Sequence, residues 1–192
     1  MDPLLDDLLP AYEFRSRYTR EIDAEPARVW AAMRTLGQDD LPVTRLLMGI
    51  RSGGLLRRRS GGPVLGAGYL PVIAERAGDE VVVGTVAKFW HPIPPRGPRT
   101  TRTPEGFAAF AEPGWAKGAM SFRLTPLPGG RTLLAAETRV RATSTAARRA
   151  FAPYWLLIRV GGAGFLRLEM LRAVARRAER APTPPRPPVR PA

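Results

Sequence analysis

A long alternating hairpin constrains this chain more than any other feature. In residues 115–125, Met120, Phe122 and Leu124 alternate with Lys117, Ser121 and Arg123. In residues 131–142, Leu134, Ala136, Thr138 and Val140 alternate with Glu137, Arg139 and Arg141. A period of two puts successive side chains on opposite faces of an extended strand. Between the segments, Pro128-Gly129-Gly130 supplies hairpin-turn chemistry. Two long paired strands, apolar on one side and polar on the other, predict an antiparallel sheet with one face on a core and one in water.

The rest of the chain is consistent with such a sheet. Residues 13–22 alternate as well, with Phe14, Tyr18 and Ile22 opposite Glu13, Arg15, Arg17 and Glu21. Further strands are expected near 66–76 and 80–90, the second containing Val81-Val82-Val83. Pro26 fits the first turn of a helix, where its missing N–H has no partner to lose, and Glu25 lies at the positive end of that helix dipole. Val29, Trp30, Met33 and Leu36 share one face at helical spacing, and Gly37 is a natural stop. A second short helix is predicted from Asp40 to Ile50, and one helical turn within 105–112. The prolines at 92, 94, 95, 98 and 104 mark a loop. Thr143 or Ser144 can cap a last helix running to about Arg180, with Pro153 and the glycines at 161, 162 and 164 expected to kink or interrupt it.

This reading divides the chain into an amphipathic lead-in at 1–12, a single α+β domain at 13–180 and an extended, disordered proline- and arginine-rich tail at 181–192. A length of 192 residues, 44% hydrophobic, suits one domain with a sizeable core. The absence of cysteine excludes disulfides, thiolate catalysis and cysteine-ligated metals, and suits a reducing compartment. Acids stand at Asp2, Asp6 and Asp7 where an export signal carries positive charge, and no apolar run approaches the roughly 18 residues of a membrane span, so a cytoplasmic location is expected.

The net charge of +13 invites a nucleic-acid reading. All but Lys88 and Lys117 of the basic residues are arginines, accompanied by abundant Ala, Gly and Pro, as a GC-rich genome produces through its codons. Arg57-Arg58-Arg59, in a glycine-rich loop spanning 51–65 that reads as mobile, and the arginine-proline tail are able to touch phosphates. Neither carries the interleaved aromatics that add base stacking, so a solvated loop and tail are favoured.

Beyond periodicity, the entry segment Ile22-x-Ala24-x-Pro26-x-x-Val29-Trp30 resembles the opening of the START-like, polyketide-cyclase-like (SRPBCC) superfamily. Phe89-Trp90, the run Glu137 to Thr143 and Tyr154-Trp155-x-Leu157-Ile158-Arg159 are similar to a bacterial subgroup of it. The resemblance spans roughly residues 13–178. It implies a helix-grip fold, with a curved antiparallel sheet wrapped around a long C-terminal helix and two short helices near the N-terminus. It also implies a cavity between sheet and terminal helix. It implies no particular reaction, because members of one fold include carriers, cyclases and regulators.

Several residues invite chemistry. His91, the only histidine, needs a neighbouring acid or nucleophile to act as a general base, and the spacing supplies none. One histidine without cysteine argues against a zinc site. Asp6, Asp7, Asp39 and Asp40 fit caps or solvated charge better than a cation site. Gly61-Gly62 and Gly66-x-Gly68 lack the Lys-Ser/Thr of a phosphate loop. Glu137, Arg139 and Arg141 read as a solvated face with cross-strand ion pairs, although a register placing Glu137 inside would make it the best acid–base candidate. Tyr18, Tyr69 and Tyr154 are able to donate to a ligand carbonyl, but core tyrosines with satisfied hydroxyls are commoner.

The leading expectation is a cofactor-free binder of an apolar or aromatic small molecule, with no assigned catalytic or metal-binding residue. Its lining would come from Trp30, Met33, Phe89, Met120, Phe122, Val140, Tyr154, Trp155 and Ile158. A cyclase or dehydratase using Glu137, His91 or a tyrosine, and an interaction module using the basic loop and tail, are the alternatives.

Overall fold

The computed structural model describes residues 2–51, 62–66, 70–161 and 163–180, and only the backbone of 48, 50, 51, 158–161 and 163–165. Five strands form one antiparallel sheet: β1 (Phe14–Ile22), β2 (Val72–Arg76), β3 (Glu80–Ala87), β4 (Ala116–Leu127) and β5 (Arg131–Ala142). Their order across the sheet is β1-β5-β4-β3-β2. The hairpin closes with Leu127 opposite Arg131, and Gly129 and Gly130 both take the positive φ (77° and 73°) that L side chains avoid. Strand β1 lies antiparallel against β5, with Phe14 opposite Val140 and Ile22 opposite Thr132.

Helices cover the inner face. They are α2 (Pro26–Arg34) and a C-terminal pair, α5 (Thr145–Gly161) and α6 (Ala163–Arg180), while α3 (Pro42–Arg51) packs against α6. Ile22, Val29, Met33 and Leu36 meet Val81, Val83, Phe122, Leu134 and Ala136 of the sheet and Leu171, Val174 and Ala178 of α6 in one core. Polar contacts fix the helices in place. Arg28 Nη2 donates to the Ala178 carbonyl at 2.8 Å, near the end of α6 where free carbonyls collect. The Glu169 carboxylate of α6 accepts from the backbone N–H groups of Val43 (2.8 Å) and Thr44 (2.7 Å), so α6 caps the first turn of α3. Ser144 Oγ accepts from Ala147 N at 3.2 Å and caps α5, while the Thr143 hydroxyl and N–H together make three hydrogen bonds with the Trp115 backbone, just before β4.

Strand order and helix placement give the α+β helix-grip architecture expected from the sequence. Two local expectations need correction, and others fall outside the described residues. Pro153, expected together with the glycines to kink or interrupt the terminal helix, lies inside α5, which ends at Gly161, and α6 begins at Ala163. Part of the segment read as a mobile loop is packed: Pro63 bridges to Gly37, and Val64 and Leu65 lie in the core. Arg57, Arg58 and Arg59, Tyr69 and the 181–192 tail lie outside the described residues.

The outer face of the sheet is covered over β3 and β4, whereas on β1 Arg15, Arg17 and Glu21 are exposed, as expected. Helix α1 (Leu4–Leu8) and helix α4 (Pro104–Ala109) form the cover. Leu5, Leu8 and Leu9 pack with Ile73, Val82, Val86, Phe107 and Ala119 in a second apolar cluster. The Leu4 N–H donates to buried Glu80 at 2.8 Å, and Lys117, also buried, donates to the Ala108 carbonyl at 2.6 Å. The valine run 81–83 fits this arrangement, since a strand buried on both faces reads as continuously apolar rather than alternating.

Candidate functional site

On the inner face the sheet is only partly filled. Helices α2 and α6 close one stretch of it. Further along, a cleft of about 240 Å³ remains, floored by Val83, Gly118, Met120, Thr138 and Val140. Phe151, Tyr154 and Trp155 of α5 form its wall, Leu70, Pro71, Phe89 and Arg96 its loop side, and Arg167 of α6 a polar corner.

The aromatic wall follows from helix periodicity. Phe151, Tyr154 and Trp155 are three and four residues apart and so share a face. Phe151 is buried at the centre, 4.9 Å from the Phe14 ring, 6.0 Å from Phe89, 5.6 Å from Tyr154 and 6.0 Å from Trp155 by ring centroids. Phe89 lies directly on the sheet because Gly118 has no side chain: a Cβ there would come within 3.0 Å of the Phe89 ring. That glycine permits a close approach rather than an unusual φ.

The corner is held by Arg167. Its Nε donates to Thr138 Oγ1 on β5 at 2.9 Å, and its guanidinium lies 5.8 Å from the Tyr18 ring centroid on β1. Burial holds the Arg167 pKa below the usual arginine value, partly offset by Tyr18. The described lining of the cleft includes two arginines, Arg96 and Arg167, and no carboxylate.

The residues expected from the sequence divide in two. Phe89, Met120, Val140, Tyr154 and Trp155 line the cleft. Trp30, Met33 and Phe122 instead belong to the core beneath α2 and α6, where Met33 and Phe122 are fully buried. The Ile158 side chain lies outside the described residues. Sequence reasoning missed Phe151, although it shares the helical stripe of Tyr154 and Trp155. It also missed Arg167, which nothing in the local sequence distinguishes, and Thr138, although alternation put this polar residue on the inward face of β5 between Ala136 and Val140.

The acid–base candidates are elsewhere. Glu137 is on the outer face, bound by both nitrogens of a cross-strand Arg15 fork (3.0 and 2.8 Å) and by Arg139 Nε (2.8 Å). Arg139 in turn donates to the Leu9 carbonyl and pairs with Asp6, so Glu137 and Arg139, expected to be solvated, are buried, while Arg141 is exposed. Burial pushes the Glu137 pKa up, but the hydrogen bonds and charges of Arg15 and Arg139 outweigh it and hold the carboxyl below its ordinary value. A carboxylate held ionised in this way is poorly matched to proton transfer near neutral pH. His91 sits in an exposed turn with its ring 5.9 Å from Trp90, and is absent from the described lining of the cleft. Among the described residues no cluster of metal-ligating side chains occurs.

The chain thus has an α+β fold of helix-grip type, with one antiparallel sheet against a C-terminal pair of helices. No protein-family model and no curated protein sequence matches it. Solved structures that resemble it include a Mesorhizobium loti protein, 18% identical, covering 88% of this chain and 100% of the other at a TM-score of 0.42. An Arthrobacter aurescens protein is 14% identical over 86% of this chain and 91% of its own, at 0.39. The Zhui aromatase/cyclase of Streptomyces sp. R1128 is 13% identical over 87% and 94%, at 0.32. At such identities and TM-scores the likeness carries no argument about ligand or reaction.

Proposed function

We propose that the protein binds an apolar or aromatic small molecule in the cleft between the sheet and the C-terminal helices. The observation that carries this reading is the cleft itself, apolar on its floor and aromatic on its wall, with few polar groups. Its volume of about 240 Å³ lies just below the range of about 300 to 1,000 Å³ common for small-molecule sites. A compact ring system suits that size.

Binding is favoured over a cyclase or dehydratase reaction by where the ionisable groups sit. Such a reaction needs an acid or base within hydrogen-bond reach of the ligand. Glu137 is held as an ion pair on the opposite side of the sheet. Of the described groups singled out from the sequence for proton transfer, Tyr154 is the one that lines the cleft.

Native mass spectrometry of freshly purified protein, with denaturing extraction of bound material, tests the reading. It should reveal a co-purifying apolar compound, or empty protein whose melting temperature rises with aromatic compounds. Empty protein that no aromatic compound stabilises would overturn it.

A further inference from the structure

The inner face of the sheet carries two hydroxyls whose hydrogen-bonding capacity the described residues do not fill. Ser16, Thr138, Met120 and Val83 stand opposite one another in a single row across β1, β5, β4 and β3. Residues paired in this way project to the same face. Val83, Met120 and Thr138 line the cleft, and Ser16 extends their row beyond Thr138. Thr138 is only 9% exposed, and its Oγ1 accepts from Arg167 Nε at 2.9 Å. A threonine hydroxyl also has a proton to donate, and no described residue accepts that of Thr138. The Ser16 Oγ is buried with no hydrogen-bond partner among the described residues.

The row therefore presents a donor to the cleft. Arg167 occupies a lone pair of the Thr138 oxygen, which polarises the O–H and leaves it to donate elsewhere. A buried donor left unmet is costly. A ligand that brings an oxygen acceptor to this point removes the cost, whereas a pure hydrocarbon leaves it standing. The rest of the described lining is largely apolar and aromatic, so one well-placed polar group sets the orientation of a ligand.

We propose that the cleft selects ring compounds bearing a carbonyl oxygen, ring ketones and quinones, with the rings against Phe151, Tyr154 and Trp155. The oxygen accepts from the Thr138 hydroxyl, and Ser16 beside it is the second donor. This rests on the reading of the cleft as a ligand site and adds the polar group that its ligand carries.

The compounds α-tetralone and tetralin share one bicyclic skeleton and differ by a ketone oxygen. Their affinities are measured by displacement of N-phenylnaphthylamine, a neutral dye that brightens in apolar surroundings. The wild-type protein is compared with the Thr138→Val, Thr138→Ser and Ser16→Ala variants. The readout is the affinity ratio of ketone to hydrocarbon, which a general loosening of the cleft would not move. Thr138→Val keeps the shape of the side chain and removes the hydroxyl, so the ratio should fall about fivefold, the scale of one neutral hydrogen bond. Thr138→Ser retains a hydroxyl and should hold the ratio near wild type, and Ser16→Ala should lower it by less than Thr138→Val does. A ratio unchanged in Thr138→Val, or lost as fully in Thr138→Ser, overturns the proposal while leaving the apolar site standing. A ratio unchanged in Ser16→Ala removes the second donor from it. Should Thr138→Val fail to fold, infrared spectra decide. The carbonyl stretch of the ketone bound to wild type should lie below its frequency in hexane, and a hexane-like stretch overturns the proposal. Failure of the dye and both compounds to bind wild type removes the site and the proposal together.

Discussion

At the scale of single residues, two features set the chemistry of the two sheet faces. On the outer face Glu137 ties Arg15 of β1 to Arg139 and so, through Asp6, to the lead-in. Its folded-state pKa is depressed, so the folded chain binds that proton more weakly than the unfolded one. The ion-pair contribution is therefore complete above the ordinary carboxylate pKa of about 4.3, and it fades as pH falls from there through the depressed folded-state value. Glu137→Gln is expected to cost about 2–4 kcal/mol at pH 7, in line with breaking a buried pair. Urea unfolding at a series of pH values checks this: the gap between variant and wild type should shrink below about pH 4, and a gap independent of pH would contradict it. On the inner face Gly118 admits the Phe89 ring. Gly118→Val should push that ring into the cleft and weaken N-phenylnaphthylamine binding at least about tenfold, with an overpacking cost of about 1–3 kcal/mol. Fluorescence titration and thermal melting read the two effects, and undiminished binding would refute the packing argument.

At the scale of elements, each helix is positioned by a contact far away in sequence. Helix α1 gives the outer sheet face its cover, with Leu5 only 1% exposed. Leu5→Ala should therefore cost about 2–4 kcal/mol, as cavity-forming core substitutions do. A midpoint shift within error in chemical denaturation would show that α1 is dispensable. Helix α3 depends on Glu169 for its first-turn N–H groups. Glu169→Ala should cost about 1 kcal/mol and speed hydrogen exchange at Val43 and Thr44, with the sheet amides unchanged. These contacts also explain what the sequence could tell. The alternation of β4 and β5 and the Pro26 helix start are local, and they were legible. That Leu9 reaches Arg139 and Glu169 reaches Thr44 depends on how the chain returns on itself, which no periodicity records. Val81-Val82-Val83 was the one local sign of a sheet covered on both faces.

At the scale of the whole molecule, one antiparallel sheet lies between an outer cover and an inner set of helices, and the inner set leaves room for a ligand. Alternation identifies which residues face inward but not how far along the strand the helices cease to fill the space. Met120 and Phe122 are adjacent on the same face of β4. Met120 is opposite Thr138 at the cleft, whereas Phe122 is opposite Ala136 under α2 and α6. That single step separates lining from core, and for the same reason Trp30 and Met33 were expected at the site and are found in the core. The chain's methionines make the distinction measurable. In protein labelled with carbon-13 at the methionine methyls, with the Met120 signal assigned through Met120→Leu, N-phenylnaphthylamine is titrated in. The Met120 methyl should shift and saturate while the Met33 methyl stays in place. Stationary Met120, or a shift confined to Met33, would contradict a ligand site in this cleft.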